Sequence, residues 1–240
     1  MCVSKPTSRE RLKAFHINAL GLLLQVEGPV RMQALLLTCL LAVGCLAQTP
    51  YRCKSPPLLS GSVMVSSQNE ALWESANFIY DAIGQRIRLQ EFGVLNNKSF
   101  SLDALLLYRE GAMFFIDKKN RNCTKRALKG DFQPLQVPRD AQLLGQAVLG
   151  SSSGPGEGLL VNTWVGNSPE TGKYMSTVTE FGCIPIGTAY HSDQYGWLQV
   201  SYYNNIKGVA DPSMLNPPEF CEGAELERGQ TPVNFLNLFF

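Results

Sequence analysis

The chain has 240 residues, 45% of them hydrophobic and 17% charged, with 21 basic against 20 acidic side chains. No basic cluster stands out of that balance, which argues against nucleic acid as a partner. With 21 glycines and 14 prolines and no long helical period, the sequence predicts an all-β chain.

Residues 33–47 read QALLLTCLLAVGCLA, an apolar run shorter than the roughly 20 residues that a membrane-spanning helix needs. It closes on Cys45-Leu46-Ala47 and turns polar at Gln48, the pattern of a signal peptide cleaved after Ala47. Upstream lie basic residues (Lys5, Arg9, Arg11, Lys13) and a second apolar patch around residues 20–24. They read as an extension before a usual start at Met32, or as one long leader with an extended basic region. Cys45 as a lipidated cysteine fits poorly, because the residues before it do not form a lipobox. Residues 1–47 are therefore set apart, and residues 48–240 are expected to form a single β domain. Five basic and two acidic residues fall in the leader, so the remainder carries 16 and 18, close to neutral. It holds no other apolar run long enough to span a membrane, and a soluble product is expected.

Of seven cysteines, Cys53, Cys123, Cys183 and Cys221 follow the leader. None are spaced as C-x-x-C, which argues against a zinc site or redox motif. Behind a signal peptide they read as two disulfides with three open connectivities. Two sequons are present, at Asn97-Lys98-Ser99 and Asn122-Cys123-Thr124; a bridge at Cys123 would crowd the second.

In chain order, residues 77–80 lead through a turn at 81–84 into Arg86-Ile87-Arg88-Leu89-Gln90, where apolar and polar residues alternate as in a half-buried strand. Residues 102–108 and 112–117 are strongly apolar runs joined at Arg109-Glu110-Gly111, a hairpin signal. Residues 123–128 follow a polar turn. Residues 141–149 read as either a short helix or a strand, and 151–158 (SSSGPGEG) as a flexible loop. Residues 174–181, 184–190 and 197–203 are rich in strand formers. Nine or ten short strands in one domain predict an antiparallel sandwich, an open barrel or a half-barrel. The runs Leu105-Leu106-Leu107 and Met113-Phe114-Phe115-Ile116 are apolar on both faces. Such strands belong in a sandwich centre, against a partner subunit, or beside a cavity.

One enzyme-like motif occurs: Gly150-Ser151-Ser152-Ser153-Gly154 fits G-x-S-x-G. A nucleophile elbow needs a helix after it, and the proline and glycines that follow deny one. Residues 48–240 contain one histidine, His191, so a hydrolase would have to pair Ser152 with it; no enzyme is expected. One histidine cannot build a zinc centre. Calcium is left to loop carboxylates near strand ends, with Asp81, Asp103, Asp117 and Asp193 as candidates.

The segment Leu106-Leu107-Tyr108-Arg109-Glu110-Gly111-Ala112-Met113-Phe114-Phe115-Ile116-Asp117, followed by Cys123, resembles the central hairpin of the ependymin family. So do Gln85-Arg86-Ile87-Arg88, Cys183-Ile184-Pro185, and Gly208-Val209-Ala210-Asp211-Pro212-Ser213-Met214-Leu215-Asn216-Pro217-Pro218-Glu219-Phe220-Cys221. The match runs in order from Cys53 to about residue 227. The resemblance implies a secreted or lysosomal N-glycoprotein that forms homodimers. It implies two stacked, curved antiparallel sheets, similar to bacterial lipoprotein carriers, that enclose an apolar pocket. It further implies lipid binding, calcium as the one cofactor, cell–matrix contact, and the pairs Cys53–Cys183 and Cys123–Cys221. Some relatives carry a further cysteine pair that is missing here, and the tail ending Phe239-Phe240 is unlike theirs.

The expectation is a non-enzymatic protein that binds anionic lipids in an apolar pocket; the rival is a calcium-dependent cell–matrix adhesion protein. Pocket candidates are Phe78, Tyr80, Ile87 and Leu89, then Leu105, Leu107, Met113 and Phe115, then Trp164, Val178, Trp197 and Tyr203. Alternation separates two faces in each strand without saying which looks inward. Binding is expected to strengthen from about pH 7 to 5, as carboxylates and His191 take up protons.

Overall fold

The structure is a computed structural model that describes residues 33, 36–39, 50–168, 172–192 and 195–226. The signal-peptide cut after Ala47, the calcium candidate Asp193 and the tail beyond Leu226 lie outside these residues. The chain divides into two units, Met1–Thr49 and Pro50–Phe240. Among the described residues no helix is long and apolar enough to cross a membrane.

The second unit is built from eleven strands: β1 (Leu58–Ser67), β2 (Leu72–Asp81), β3 (Arg86–Leu95), β4 (Lys98–Leu107), β5 (Ala112–Asp117), β6 (Asn122–Ala127), β7 (Gln142–Gly150), β8 (Gly158–Ser168), β9 (Gly172–Thr179), β10 (Pro185–Ser192) and β11 (Gly196–Lys207). The segment whose pattern allows helix or strand is β7, exposed along its whole length. All pairings between these strands are antiparallel, and the hydrogen-bonded order is β6-β5-β4-β3-β2-β1-β11-β10-β9-β8-β7. This is one open sheet, where the sequence reading expects two stacked ones. Two hairpin meanders, β1 to β6 and β7 to β11, are joined through a ladder between their first and last strands, from Leu59↔Lys207 to Ser67↔Leu198. The turn between β3 and β4 has Asn96 and Asn97 at φ 48° and 62°. Two such left-handed residues match the right-handed twist of a tight hairpin.

Residues directly opposite in a ladder share a face, so the register sorts the side chains. Tyr80, Ile87, Leu106 and Met113 form one row, and Phe78, Leu89, Ala104 and Phe115 the next. Both belong to the main core, with Val63, Val65, Trp164, Val178, Leu198 and Val200. The other face of β4 and β5 presents Leu105, Leu107, Ala112, Phe114 and Ile116, which pack beneath Leu215, Phe220 and Cys221. These two strands are apolar on both faces because the chain's own C-terminal stretch covers the outer one. That coverage removes the sequence-based reason for placing a partner subunit there.

Two bridges fasten the ends, Cys53–Cys183 and Cys123–Cys221, with Cα atoms 5.9 and 5.2 Å apart. They are the pairs that the resemblance implies. The second holds the 3₁₀ turn Glu219–Cys221 against β6. Arg88 adds a further tie, donating to the Met214 carbonyl at 2.7 Å in the 3₁₀ turn Pro212–Leu215.

Candidate ligand-binding chamber

The inner face carries a half-open cavity of about 210 Å³. Val63 of β1, Phe78 and Tyr80 of β2, and Ile87 and Leu89 of β3 form one wall. Ser176 and Val178 of β9, Pro185 and Thr188 of β10, and Tyr202 of β11 form another. Strands from both meanders therefore face the same space. Ser55 and residues 133–136 complete the lining.

Residues 132–138 read Phe-Gln-Pro-Leu-Gln-Val-Pro, with prolines that lack a ladder donor; residues 133–136 line the cavity as a strap paired with Lys54 only through an isolated bridge at Gln136. The Leu135 N–H donates to the Tyr80 hydroxyl at 3.0 Å. Ser55 N–H donates to the Leu135 carbonyl, and Val137 N–H to the Cys53 carbonyl, both at 2.9 Å. Phe132 stacks on Tyr80 with centroids 5.7 Å apart and meets Tyr108 edge-on at 5.3 Å. The Cys53–Cys183 bridge pins the segment to which the strap is bonded.

Among the described residues, the only ionisable side chains in the lining are Tyr80 and Tyr202. Burial raises the Tyr80 phenol, against the pull of the Leu135 N–H, and burial pushes Tyr202 up to about 12. Both stay neutral at physiological and at acidic pH, so the lining is uncharged. Such a surface takes apolar matter and forms a few hydrogen bonds through Ser55, Gln133, Gln136, Ser176 and Thr188.

Of the sequence candidates, Phe78, Tyr80, Ile87, Leu89 and Val178 line the chamber. Met113 and Trp164 are buried in the same core without lining it, and Phe115 packs against that core beneath the Arg126 guanidinium, 5.3 Å away. Leu105 and Leu107 are corrected to the outer core, since each stands one residue out of phase with Ala104 and Leu106. Trp197 and Tyr203 are corrected to the outer surface, 40% and 48% exposed. Sequence reasoning missed Val63, Pro185 and the strap. The signal for the strap is an apolar residue, Leu135, in a run that follows neither period and is punctuated by two prolines.

The G-x-S-x-G run lies in the loop between β7 and β8, with no helix after it. His191 meets Trp197 edge-on at 5.5 Å, in a register pair on β10 and β11. The missing helix contradicts a nucleophile elbow. The calcium candidates are engaged elsewhere: Asp81 with Gly84 N–H and Arg86, Asp103 with Arg88 and Gln90, and Asp117 with Lys119 and Asn120. Among the described residues no group of three or more His, Cys, Asp or Glu is placed to hold a metal ion. Asn97 is exposed in its hairpin turn and Asn122 is exposed at the start of β6.

The family model named Ependymin matches residues 96–221. Ependymin-2 of Carassius auratus is 31% identical over 211 residues, covering 88% of this chain and 98% of that protein. Mammalian ependymin-related protein 1 of Mus musculus is 28% identical and covers 75% and 80%. A crystal structure of an uncharacterized conserved protein from Thermus thermophilus aligns with a TM-score of 0.47 at 11% identity, over 73% of this chain and 91% of that one.

Proposed function

The chain belongs to the ependymin family, and from that membership and its chamber we propose that it is a non-enzymatic lipid-binding glycoprotein of the extracellular space or lysosome lumen. The observation that carries the reading is the uncharged cavity between the two meanders. Each buried methylene contributes about 0.8 kcal/mol, so part of one acyl chain already gives useful affinity. The two disulfides support an oxidising compartment.

An anionic headgroup finds no cation in the lining and stays at the surface. Acid-strengthened binding gains nothing from Asp81, Asp103, Asp117 or Asp211, whose carboxyls are all held below the usual range and remain ionised at pH 5.

Organic extraction of the purified protein followed by mass spectrometry tests the proposal. The expected outcome is acyl lipid at close to one molecule per chain. Extracts free of lipid, with no uptake from liposomes at any pH, would turn the reading toward adhesion.

A further inference from the structure

We propose that the end of the sheet bearing the β2–β3 and β9–β10 turns docks on a phospholipid bilayer, with Phe181 and Ile83 inserted among the lipids. The inference rests on the lipid-binding reading above and adds the surface through which the protein meets a membrane. Three observations carry it.

The first is placement. Leu58 faces Asp81 and Leu59 faces Lys207, so β2 and β11 finish where β1 starts. At that same end Pro185 faces Val178, and Asn205 Nδ2 donates to the Pro185 carbonyl. The turns after β2 and after β9, one from each meander, therefore stand together at one end of the sheet. The cavity begins beside both, with Tyr80, Ile87, Val178 and Pro185 in its lining. Both sequons lie away from this end. Asn97 is in the β3–β4 turn, at the opposite end of those strands, and Asn122 starts β6, whose last residue, Ala127, is the one that reaches it.

The second observation is apolar exposure on firmly built turns. Phe181 is 80% exposed and Ile83 61%. Thr179 Oγ1 donates to the Phe181 carbonyl at 2.8 Å and accepts from Ile184 N–H at 2.9 Å, and Cys183 is bridged to Cys53. In the other turn Asp81 accepts from Gly84 N–H at 2.7 Å, and Ala82 N–H donates to the Pro57 carbonyl at 2.8 Å. Large apolar side chains held in water in this way mark a surface that a partner covers.

The third is the cation beside each tip. Lys207 Nζ lies where a Cβ on Gly182 would stand 2.9 Å from it, and Arg109 donates to the Ile83 carbonyl at 2.6 Å. Both cations are exposed, at a depth that suits lipid phosphate. Of the acids nearby, Glu180 is drawn back to Asn162 and Gln146, Asp81 holds Arg86, and Glu110 is exposed beside Arg109. The charges nearly balance, so buried apolar area drives the docking and zwitterionic lipid suffices.

The test sediments the full secreted protein with sucrose-loaded dioleoylphosphatidylcholine vesicles at pH 7. Wild type is expected to bind, and Phe181→Ser combined with Ile83→Ser to bind about tenfold more weakly or worse. Leu144→Ser, at a comparably exposed residue near the opposite end, is expected to bind as wild type does. Phe181→Trp should shift its emission to the blue when vesicles are added, a readout that does not depend on the serine variants folding. Unchanged binding in the double variant, or no shift in Phe181→Trp, would overturn the docking end. Wild type that yields extractable lipid and ignores vesicles would leave lipid binding standing and give the two tips to a protein partner instead. Wild type with neither lipid nor vesicle binding would overturn both readings.

Discussion

Arg88 keeps its guanidinium 3% exposed between the Asp103 carboxylate, at 2.7 Å, and the Met214 carbonyl. Burial alone would raise the Asp103 carboxyl. Hydrogen bonds from Arg88 and Gln90, with the charges of Arg88 and Lys118, hold it below the usual range instead. A carboxyl depressed by folding stabilises the protein above its unfolded value, near 3.8, and that contribution is lost as pH falls through the lower folded value. Urea midpoints should therefore show no loss from this pair between pH 7 and 5. Asp103→Asn should cost about 3–5 kcal/mol at pH 7, because it leaves Arg88 buried and unpaired, and the deficit should shrink below about pH 3. A deficit that is equal at pH 7 and at pH 2.5 would show that the charge is not what matters. At Gly93 a Cβ would meet the Trp73 carbonyl oxygen and stand 2.9 Å from the Glu74 Cα. Both are backbone atoms, so Gly93→Ala should destabilise by about 1–3 kcal/mol in the same assay.

Among the elements, most strands were legible, but β1 and β8 were not, β7 reads as either helix or strand, and the facing of the strands was not legible. Alternation at Ile87 and Leu89 marks β3 correctly because the other face there is polar. In Leu105-Leu106-Leu107 every residue is apolar, so the pattern cannot tell which belongs with the chamber-facing rows. The register settles it, placing Leu106 with Met113 and Leu105 beneath the C-terminal cover. Trp197 and Tyr203 misled for a related reason: aromatic residues in a strand suggest burial, yet both lie on the outer surface. The strap escaped notice because a segment held by single hydrogen bonds has no period to read. This sorting has a measurable consequence. Leu105→Ala should lower stability by about 2–5 kcal/mol and leave the lipid content of the folded protein unchanged. Trp197→Ala and Tyr203→Ala should likewise leave lipid uptake unchanged. Loss of uptake in the folded Trp197 or Tyr203 variant would move the binding surface to the outer face.

At the scale of the whole molecule, Met64, Trp73, Phe92, Trp197 and Tyr203 are large exposed side chains on strands β1, β2, β3 and β11, with Trp73 edge-on to Phe92 at 5.8 Å. The homodimer that the resemblance implies is expected on this face and not on the C-terminally covered strands, since large exposed apolar side chains are what a partner would cover. Light scattering should give twice the chain mass, and Trp73→Ser with Phe92→Ser should give the single mass with the fold intact. A double variant that remains dimeric would exclude the patch. The number of sheets was not legible at all. A sandwich and one open sheet share the same hairpins, and the difference lies in a single ladder between the most distant strands.

That ladder also sets an order of events in time. Ser60 and Gly208, bonded beside it, are 148 residues apart in sequence, while each meander is a run of neighbouring hairpins that can form on its own. Local hairpins form quickly and long-range pairings late. Until the ladder forms, β1 and β11 are unpaired edges of 10 and 12 residues, the kind of surface that recruits other chains. Neither bridge lies within one meander: Cys53–Cys183 and Cys123–Cys221 each join the first half of the chain to the second. Refolding from the reduced chain should therefore lose yield as protein concentration rises, and native bridges should accumulate only after the two halves have met.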